Sequence, residues 1–281
     1  GQGPGIFINL NSNVDIRNSI IRNNTSAING GGIYIESSVV HIDSTEIINN
    51  VVNSGSGHGG GISIWNNSQV TIEHSLIRNN SSHTGAGIYV ANSEINLIYN
   101  DISLNTAQND GGGLTLSAYN GGPHSAIITN CTFYDNAAIS NPFTSNGIKI
   151  ASNGGYFITT ILNSIIWENI DAVSNLNIQY SNIQQGTSGI GNISVVPDFV
   201  SINPLSPDYN LNSSSPCINA GNPLNTYNDP NGTRNDMGAY PYNACAGLTT
   251  SSTTIITACD SLVWNGTTYN SSGTYSYSGN S

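Results

Sequence analysis

The chain is constrained above all by a pattern that recurs six times. Residues 59–80 contain three short apolar segments separated by glycine-rich or polar turns, and the same order returns before and after them. With Val70 as position zero, an apolar residue stands two and seven places later and an asparagine stands ten places later in each copy. Asparagine makes up 44 of the 281 residues, so six matches at one position indicate an internal repeat. The copies begin at Val14, Val40, Val70, Ile95, Ala126 and Thr159. Their asparagines are Asn24, Asn50, Asn80, Asn105, Asn136 and Asn169.

The unequal spacing of the copies favours a solenoid of strands with loops of different length. The starts lie 26, 30, 25, 31 and 33 residues apart, while apolar and polar residues alternate within each segment as they do in a half-buried strand. One such unit cannot bury its apolar face alone and needs a neighbour stacked on it. The sequence therefore predicts an all-β fold, a right-handed parallel β-helix of about six to seven coils. Three parallel sheets would surround a narrow core, with adjacent coils ~4.8 Å apart.

The asparagines and glycines have structural roles in such a solenoid. A tight corner turns backbone groups away from water, and each unpaired group costs ~1–3 kcal/mol. An asparagine amide offers a donor and an acceptor, so we expect the six asparagines to form a ladder that serves neighbouring coils. The glycines at 30–32, 59–61 and 111–113 are expected at a corner with positive φ.

Composition excludes several classes of partner. Charged residues make up 7% of the chain and the formal net charge is −11, so there is no basic patch for nucleic acid or an anionic membrane. Arg22 and Arg78 share a register position and are expected to face solvent. No stretch approaches the ~18 apolar residues of a membrane-spanning helix. The chain opens in mid-strand at residues 5–8, which favours a fragment of a larger protein.

The four cysteines have two interpretations. Cys131 stands where other copies have Ser19, Thr45, Ser75 and Ser164, so it is expected to be a small buried residue. Cys217 is expected to be similar, although a Cys131–Cys217 bridge stays open. Cys245 and Cys259 flank a Ser/Thr-rich stretch and could close a loop by a disulfide, which would suit an oxidising compartment.

The segment after the coils resembles the closing segment of bacterial secreted right-handed β-helix proteins of the choice-of-anchor type. The resemblance rests on Ser-Pro-Cys-Ile-Asn-Ala-Gly at residues 215–221 and Gly-Ala-Tyr at residues 238–240. The coils are predicted to occupy residues 1–195, and residues 196–243 are expected to form a capping segment that covers the last coil.

Residues 244–281 are predicted to be a linker followed by the start of another module. Residues 258–275 resemble one tandem repeat of the giant surface adhesins of Bacteroidota. This resemblance implies a long, surface-exported protein and the type IX secretion route. Asp43-Ser44-Thr45 and Asp260-Ser261-Leu262 are similar to the O-glycosylation motif of the same group, so Ser44 and Ser261 are predicted glycosylation sites.

Catalysis is a candidate function, because pectate lyases, polygalacturonases and tailspike hydrolases share the predicted fold. Gly57-His58-Gly59 and Ile148-Lys149-Ile150 resemble parts of the polygalacturonase pattern. That chemistry needs a pair of carboxyl groups around the scissile bond, and the corresponding acidic motifs are absent from the sequence. We therefore interpret His58 as a residue of a flexible turn, with no catalytic residue assigned.

For the outer strand positions, a binding surface is a more credible function than catalysis. Aromatic and hydroxyl side chains there suit stacking on sugar rings, while the alternative is that they only stabilise the sheet. Calcium is a further candidate, because the loop at residues 229–236 offers several oxygens; the alternative is a plain Asx turn. The predicted ligand-binding residues are Phe7, Tyr34, Tyr89, Thr115 and Lys149. The predicted calcium ligands are Asp229, Asn231 and Asp236.

The sequence thus predicts a non-catalytic, extracellular β-helix domain of a large cell-surface or secreted adhesin-like protein. It would be a rigid scaffold that presents surfaces to extracellular glycans or surface proteins, beside neighbouring modules of the same long chain. No cofactor is expected apart from the possible structural calcium. The first alternative is a polysaccharide lyase or glycoside hydrolase, and the second is a purely structural spacer.

Overall fold

The computed structural model describes residues 3–140, 146–172, 175–243, 262–264 and 267–270. The chain divides into two compact units, Gly1–Ala244 and Cys245–Ser281, which are described separately.

The described part of the first unit is a solenoid in which three parallel sheets have seven strands each. Every strand pairs with the equivalent strand of the next coil, so each sheet runs along the solenoid. The first sheet contains β1 (Ile6–Ile8), β5 (Ile33–Glu36), β9 (Ile62–Trp65), β13 (Ile88–Ala91), β17 (Leu114–Ala118), β21 (Ile148–Ser152) and β24 (Ile170–Ala172). The second contains β2 (Asn13–Arg17), β6 (Val39–Asp43), β10 (Gln69–Glu73), β14 (Glu94–Ile98), β18 (Gly121–Thr129), β22 (Gly155–Leu162) and β25 (Leu176–Gln179). The third contains β3 (Ile20–Arg22), β7 (Glu46–Ile48), β11 (Leu76–Arg78), β15 (Asp101–Ser103), β19 (Thr132–Tyr134), β23 (Ile165–Ile166) and β26 (Asn182–Ile183).

This arrangement confirms the predicted parallel β-helix and adds a fourth, short sheet. In five successive coils of the described chain, the two residues that follow the ladder asparagine form a short strand. These short strands pair with one another along the solenoid. These strands were not predicted, because a two-residue strand is too short to show alternation. The fourth sheet contains β4 (Thr25–Ser26), β8 (Val51–Val52), β12 (Ser81–Ser82), β16 (Thr106–Ala107) and β20 (Ala137–Ala138).

The core is a column of aliphatic side chains that follows from the register. Val40, Val70 and Ile95 pair across adjacent strands of the second sheet. Ile47 and Ile77 pair in the third sheet and are fully buried. Because alternate residues of a strand point to opposite faces, the matched positions of all coils meet inside the solenoid.

The asparagine ladder runs along one corner as predicted. The backbone N–H of Asn50 donates to Asn80 Oδ1 at 2.9 Å, and that of Asn80 donates to Asn105 Oδ1 at 3.0 Å. Asn80 Nδ2 also donates to the carbonyl oxygen of Ile47 at 2.8 Å. Each asparagine therefore joins three coils, and Asn24 and Asn136 occupy the same column.

The prediction that Asn169 is the last member of the ladder is wrong. The backbone and side-chain N–H groups of Asn136 donate to the carboxylate of Glu168, not to Asn169. The connection from the third-sheet strand to the next first-sheet strand is shorter here than in the preceding coils, because β24 begins at Ile170, two residues after Glu168. The carbonyl of Asn169 instead accepts the backbone N–H groups of Gly147 and Ile148.

The glycine corner is confirmed at the first glycine of each triplet. Gly59 has φ 68°, and a Cβ there would lie 2.3 Å from the carbonyl oxygen of Ile62. Only glycine avoids both the strain of that φ and the collision.

The segment after the coils lies on the flank of the solenoid. Ile193 pairs with Asn182 of the last third-sheet strand, so residues just before the predicted boundary at 195 cover that end. Residues 196–243 were predicted to cover the last coil. Their apolar side chains pack with Ile165, on the outer face of the third sheet, and Cys217 accepts a hydrogen bond from Asn182 of the last third-sheet strand. This segment contains β27 (Phe199–Ser201), β28 (Asp208–Leu211) and a 3₁₀ helix (Asn225–Tyr227).

The described residues of the second unit form an antiparallel hairpin of β29 (Leu262–Trp264) and β30 (Thr267–Tyr269). Across all described residues, no helix has the length and apolarity required to cross a bilayer.

Candidate functional site

The predicted ligand-binding residues form one column along the outer face of the first sheet. Phe7 pairs with Tyr34, Tyr89 pairs with Thr115, and Thr115 pairs with Lys149. Ser63 links the two parts, because it pairs with both Tyr34 and Tyr89. The predicted alignment is thus confirmed.

The start of this column is an accessible aromatic pair. Phe7 is 61% exposed, and its ring stacks on that of Tyr34 with centroids 5.2 Å apart and an interplanar angle of 4°. The Tyr34 hydroxyl donates to Glu36 Oε2 at 3.4 Å. Burial, together with the charge of Glu36, raises the pKa of Tyr34 to about 12, so its hydroxyl stays protonated.

The middle of the column is covered, which corrects the prediction that Tyr89 and Thr115 offer their side chains to a ligand. Tyr89 is 1% exposed and Thr115 is 3% exposed. The ring of His58 stacks on Tyr89 with centroids 4.2 Å apart, while Thr115 Oγ1 donates to the carbonyl oxygen of Asp110. Burial also raises the pKa of Tyr89. A ligand can reach these two side chains only if their neighbours move.

Lys149 lies at the far end of the column in an ion pair with Asp171. The two residues are cross-strand partners on β21 and β24. Lys149 is therefore engaged within the sheet, and its ammonium group is half-buried there.

His58 belongs to an ordered aromatic cluster rather than to the flexible turn that the sequence predicted. Its backbone bridges to Thr84, and its ring contacts Tyr89 and Trp65. Its Nδ1 is buried and has no hydrogen-bond partner. Burial, with a smaller effect of His83, lowers the pKa of His58 to about 4. The imidazole is thus neutral at neutral pH.

The other members of this cluster, Trp65 and Tyr119, were missed by the sequence analysis. Trp65 lies two residues after Ser63 and so shares its face of the strand, a signal that alternation could have given. Tyr119 follows β17 in a loop, where periodicity carries no information. We call His58, Trp65, Tyr89 and Tyr119 the ring cluster.

A polar cleft of about 300 Å³ lies beside the end of the asparagine ladder. Glu168 and Asp135 are among its lining residues. Glu168 is 5% exposed, and burial raises its pKa to about 8, against the opposing hydrogen bonds from Asn136 and with help from the charge of Asp135. Burial also raises the pKa of Asp135. Neither carboxyl was predicted, because they match no motif.

The predicted calcium ligands are engaged in hydrogen bonds within the chain. Asp229 accepts from Asn235 Nδ2 and from the backbone N–H of Asp236, both at 3.0 Å. Asp236 accepts the backbone N–H groups of Asn219 and Tyr242, both at 2.6 Å. Asn231 Oδ1 accepts from the backbone N–H and hydroxyl of Thr233, which is an Asx-turn arrangement.

The buried environment of this loop changes the acidity of its carboxyl groups. Burial, followed by the charge of Asp236, raises the pKa of Asp229 to about 6. In the described parts of the chain, no three His, Cys, Asp or Glu side chains are grouped so that they could hold a metal ion. The predicted calcium site includes an asparagine and stays a prediction.

The remaining predicted residues are partly described. Cys131 and Cys217 are buried free thiols, and burial raises the pKa of Cys217 to about 11. Ser44 is exposed, and its hydroxyl donates to Asp43 Oδ1 at 2.9 Å. Cys245, Cys259 and Ser261 lie outside the described residues, so their disulfide and glycosylation stay predictions.

Comparison with known proteins agrees with this architecture. A family model described as a right-handed β-helix region matches residues 4–184, well over half of the chain. Searches of curated proteins and of solved structures each found no match. On the residues matched and on its stacked parallel sheets, the chain belongs to the family of right-handed β-helix proteins.

Proposed function

We propose that this chain is a non-catalytic, extracellular scaffold within a large surface-anchored or secreted adhesin-like protein. The scaffold holds a rigid solenoid and presents its outer faces to extracellular glycans or surface proteins. Export by the type IX route of Bacteroidota belongs to the same proposal, and it rests on the resemblance of residues 258–275 to adhesin repeats.

The observation that carries the proposal is the aromatic outer face of the first sheet. Phe7 and Tyr34 stack in adjacent coils and are accessible. Further along the same sheet, Trp65 and Tyr119 add two partly exposed rings. Rigid aromatic surfaces with polar groups at their edges are favourable contacts for amphipathic ligands such as sugars.

A panel of neutral and acidic polysaccharides tests the proposal. The 281-residue chain is expected to bind at least one of them without releasing unsaturated or reducing ends. Release of such ends would overturn the non-catalytic assignment. If a glycan array and a panel of surface proteins both gave no binding, the chain would act as a structural spacer.

One observation favours the enzymatic alternative. Glu168 is a carboxylic acid that stays largely protonated at neutral pH beside a second carboxyl, Asp135, in a cleft. Glycoside hydrolysis uses such a pair, one as acid and one as base or nucleophile. If the polysaccharide panel shows cleavage, Glu168→Gln should abolish it; cleavage that survives this change would exclude the cleft.

A further inference from the structure

Two aromatic rings lie nearly parallel on the outer face of the first sheet. Trp65 is the last residue of β9, and Tyr119 follows the end of β17. Their ring centroids are 6.5 Å apart and their planes differ by 5°. Trp65 is half-buried and Tyr119 is 37% exposed. Both therefore keep accessible ring surface in a common orientation.

Hydrogen bonds fix both rings before any ligand arrives. Trp65 Nε1 donates to Ser63 Oγ at 2.7 Å. The hydroxyl of Tyr119 lies 2.6 Å from that of Tyr89, and its backbone N–H donates to Asn92 Oδ1 at 2.8 Å. Ligands bind more tightly to side chains that need little ordering on association.

The rest of the ring cluster supports these two rings from beneath. The ring centroid of Tyr89 is 5.3 Å from that of Trp65, and the ring of His58 lies 4.2 Å from Tyr89 and 5.8 Å from Trp65. Tyr89 is buried, and it supports the two more exposed rings by contacting both of them. The cluster is therefore a packed unit rather than a set of separate surface side chains.

Polar groups border Trp65 on the side of the preceding coil. Glu36 is the cross-strand partner of Trp65, and Asn66 Nδ2 donates to Glu36 Oε1 at 2.6 Å. A carboxylate and an amide at the edge of an aromatic face can exchange hydrogen bonds with the hydroxyl groups of a sugar while the ring faces contact its C–H groups.

Charge distinguishes between neutral and acidic ligands. The chain carries a formal net charge of −11, and Glu36 adds a carboxylate at this surface. Of the basic residues in the described coils, Arg17, Arg78 and Lys149 are paired with Asp15, Asp101 and Asp171, respectively, and Arg22 lies on β3 of the third sheet rather than on this face. An acidic saccharide would therefore meet repulsion from Glu36 at this surface.

We propose that Trp65 and Tyr119 form a platform for the pyranose rings of a neutral polysaccharide, with Glu36 and Asn66 as hydrogen-bonding partners. This inference rests on the proposed glycan-binding function and names its site and ligand class. The two rings of the platform are different from the Phe7–Tyr34 pair that the sequence predicted, and Glu36 lies between the two pairs because it also accepts the hydrogen bond from the Tyr34 hydroxyl.

Isothermal titration of the 281-residue chain tests the platform. The probes are β-1,4-linked glucohexaose and mannohexaose, with hexagalacturonate as the acidic comparison. The variants are Trp65→Ala, Trp65→Phe and Tyr119→Ala, and the matched control outside the platform is Tyr156→Ala, at an exposed position of β22 in the second sheet. Circular dichroism and thermal unfolding report whether each variant keeps its fold. Tyr119→Ala changes a loop residue, so it provides a test even if Trp65→Ala does not fold.

A neutral hexaose is expected to bind the wild type, and hexagalacturonate at least tenfold more weakly. Trp65→Ala and Tyr119→Ala should each weaken the binding by about tenfold or more, Trp65→Phe should lose less, and Tyr156→Ala should stay within about twofold. Unchanged binding by folded Trp65→Ala or Tyr119→Ala would overturn the platform while leaving glycan binding intact. Binding of hexagalacturonate alone would overturn the ligand class. If the wild type bound none of these probes, the platform would be overturned, and the polysaccharide, glycan and protein panels would decide the broader function separately.

Discussion

At the scale of single residues, the paired asparagines at the ladder corner divide two tasks between them. Asn49 and Asn79 take the left-handed conformation, with φ 56° in both. The residues that follow them, Asn50 and Asn80, point inward and form the ladder. Asparagine tolerates the left-handed region better than most residues and also carries a donor and an acceptor, so one residue type serves both positions.

The ladder predicts a large effect for Asn80→Ala. The change removes the acceptor for the backbone N–H of Asn50 and the donor to the carbonyl of Ile47. Since an unsatisfied buried group costs ~1–3 kcal/mol, the free energy of unfolding should fall by about 2–4 kcal/mol. Urea denaturation measures this. Asn13→Ala, at an exposed position of β2, should change it by less than about 0.5 kcal/mol; equal effects would contradict the structural role of the ladder.

Glu168 ends the ladder with a group whose charge depends on pH. Its pKa is raised to about 8 in the folded chain from an unfolded value near ~4.3. The folded state therefore binds the proton more tightly, and the resulting stability is present at low pH and is lost as pH rises from about 4 through 8.

Glu168→Gln should remove this dependence. A glutamine keeps an acceptor for Asn136 but cannot ionise, so its variant should be more stable than the wild type at pH 8.5 by a few kcal/mol. The difference should shrink toward pH 5, where Glu168 is protonated. Urea denaturation at several pH values gives both curves. Parallel curves would show that Glu168 does not ionise over this range.

At the scale of structural elements, the closing segment packs against a buried ion pair between β11 and β15 of the solenoid. Arg78 Nη2 lies 2.6 Å from Asp101 Oδ2, and Asp101 is 1% exposed. The hydroxyl of Tyr240 donates to the same carboxylate oxygen at 3.0 Å, and Arg78 also lies over the ring of Tyr209. Arg78 was predicted to face solvent, and it does not, because the closing segment packs over it.

Arg78→Met should therefore destabilise the chain and loosen the closing segment. The variant leaves Asp101 as an uncompensated buried charge, which costs about 3–5 kcal/mol. The loss should shrink as pH falls, because burial raises the pKa of Asp101 and the charge of Arg78, which lowers it, is absent from the variant. Urea denaturation and limited proteolysis within residues 196–243 measure the two effects.

Arg22→Met is the matched control, since Arg22 and Arg78 are both register partners of Ile48 and Arg22 is exposed. It should change the free energy of unfolding by less than about 0.5 kcal/mol. If both variants behaved alike, the buried ion pair would not fasten the closing segment.

The alignment of the strands was predictable from the sequence, but it was not predictable whether loops cover their outward side chains. Alternation and repeat spacing fixed that Tyr34, Tyr89 and Thr115 share one outward column. Whether a side chain on that column meets solvent depends on loops of unequal length, such as the one that brings His58 onto Tyr89. Periodicity describes strands only, so the ring cluster could not be assembled from it.

At the scale of the whole first unit, the coil count and core followed from the repeated positions, whereas the place of the closing segment did not. The position of the closing segment against the third sheet depends on individual contacts. Asn130 Nδ2 donates to Asn235 Oδ1 at 3.0 Å, and the backbone N–H of Ala239 donates to Thr132 Oγ1 at 3.0 Å. These partners lie more than 100 residues apart in the chain and follow no spacing rule.

Native-state hydrogen exchange read by mass spectrometry tests the central claim most directly, namely that stacked coils form one rigid scaffold. Amides of the strands from β5 to β23, apart from β20 at the end of the fourth sheet, should exchange slowly and as a unit, because each of these strands pairs with the coils on both sides. The exposed loop at residues 53–56 should exchange within seconds. Fast exchange throughout the third-sheet strands, or independent opening of adjacent central coils, would contradict the account.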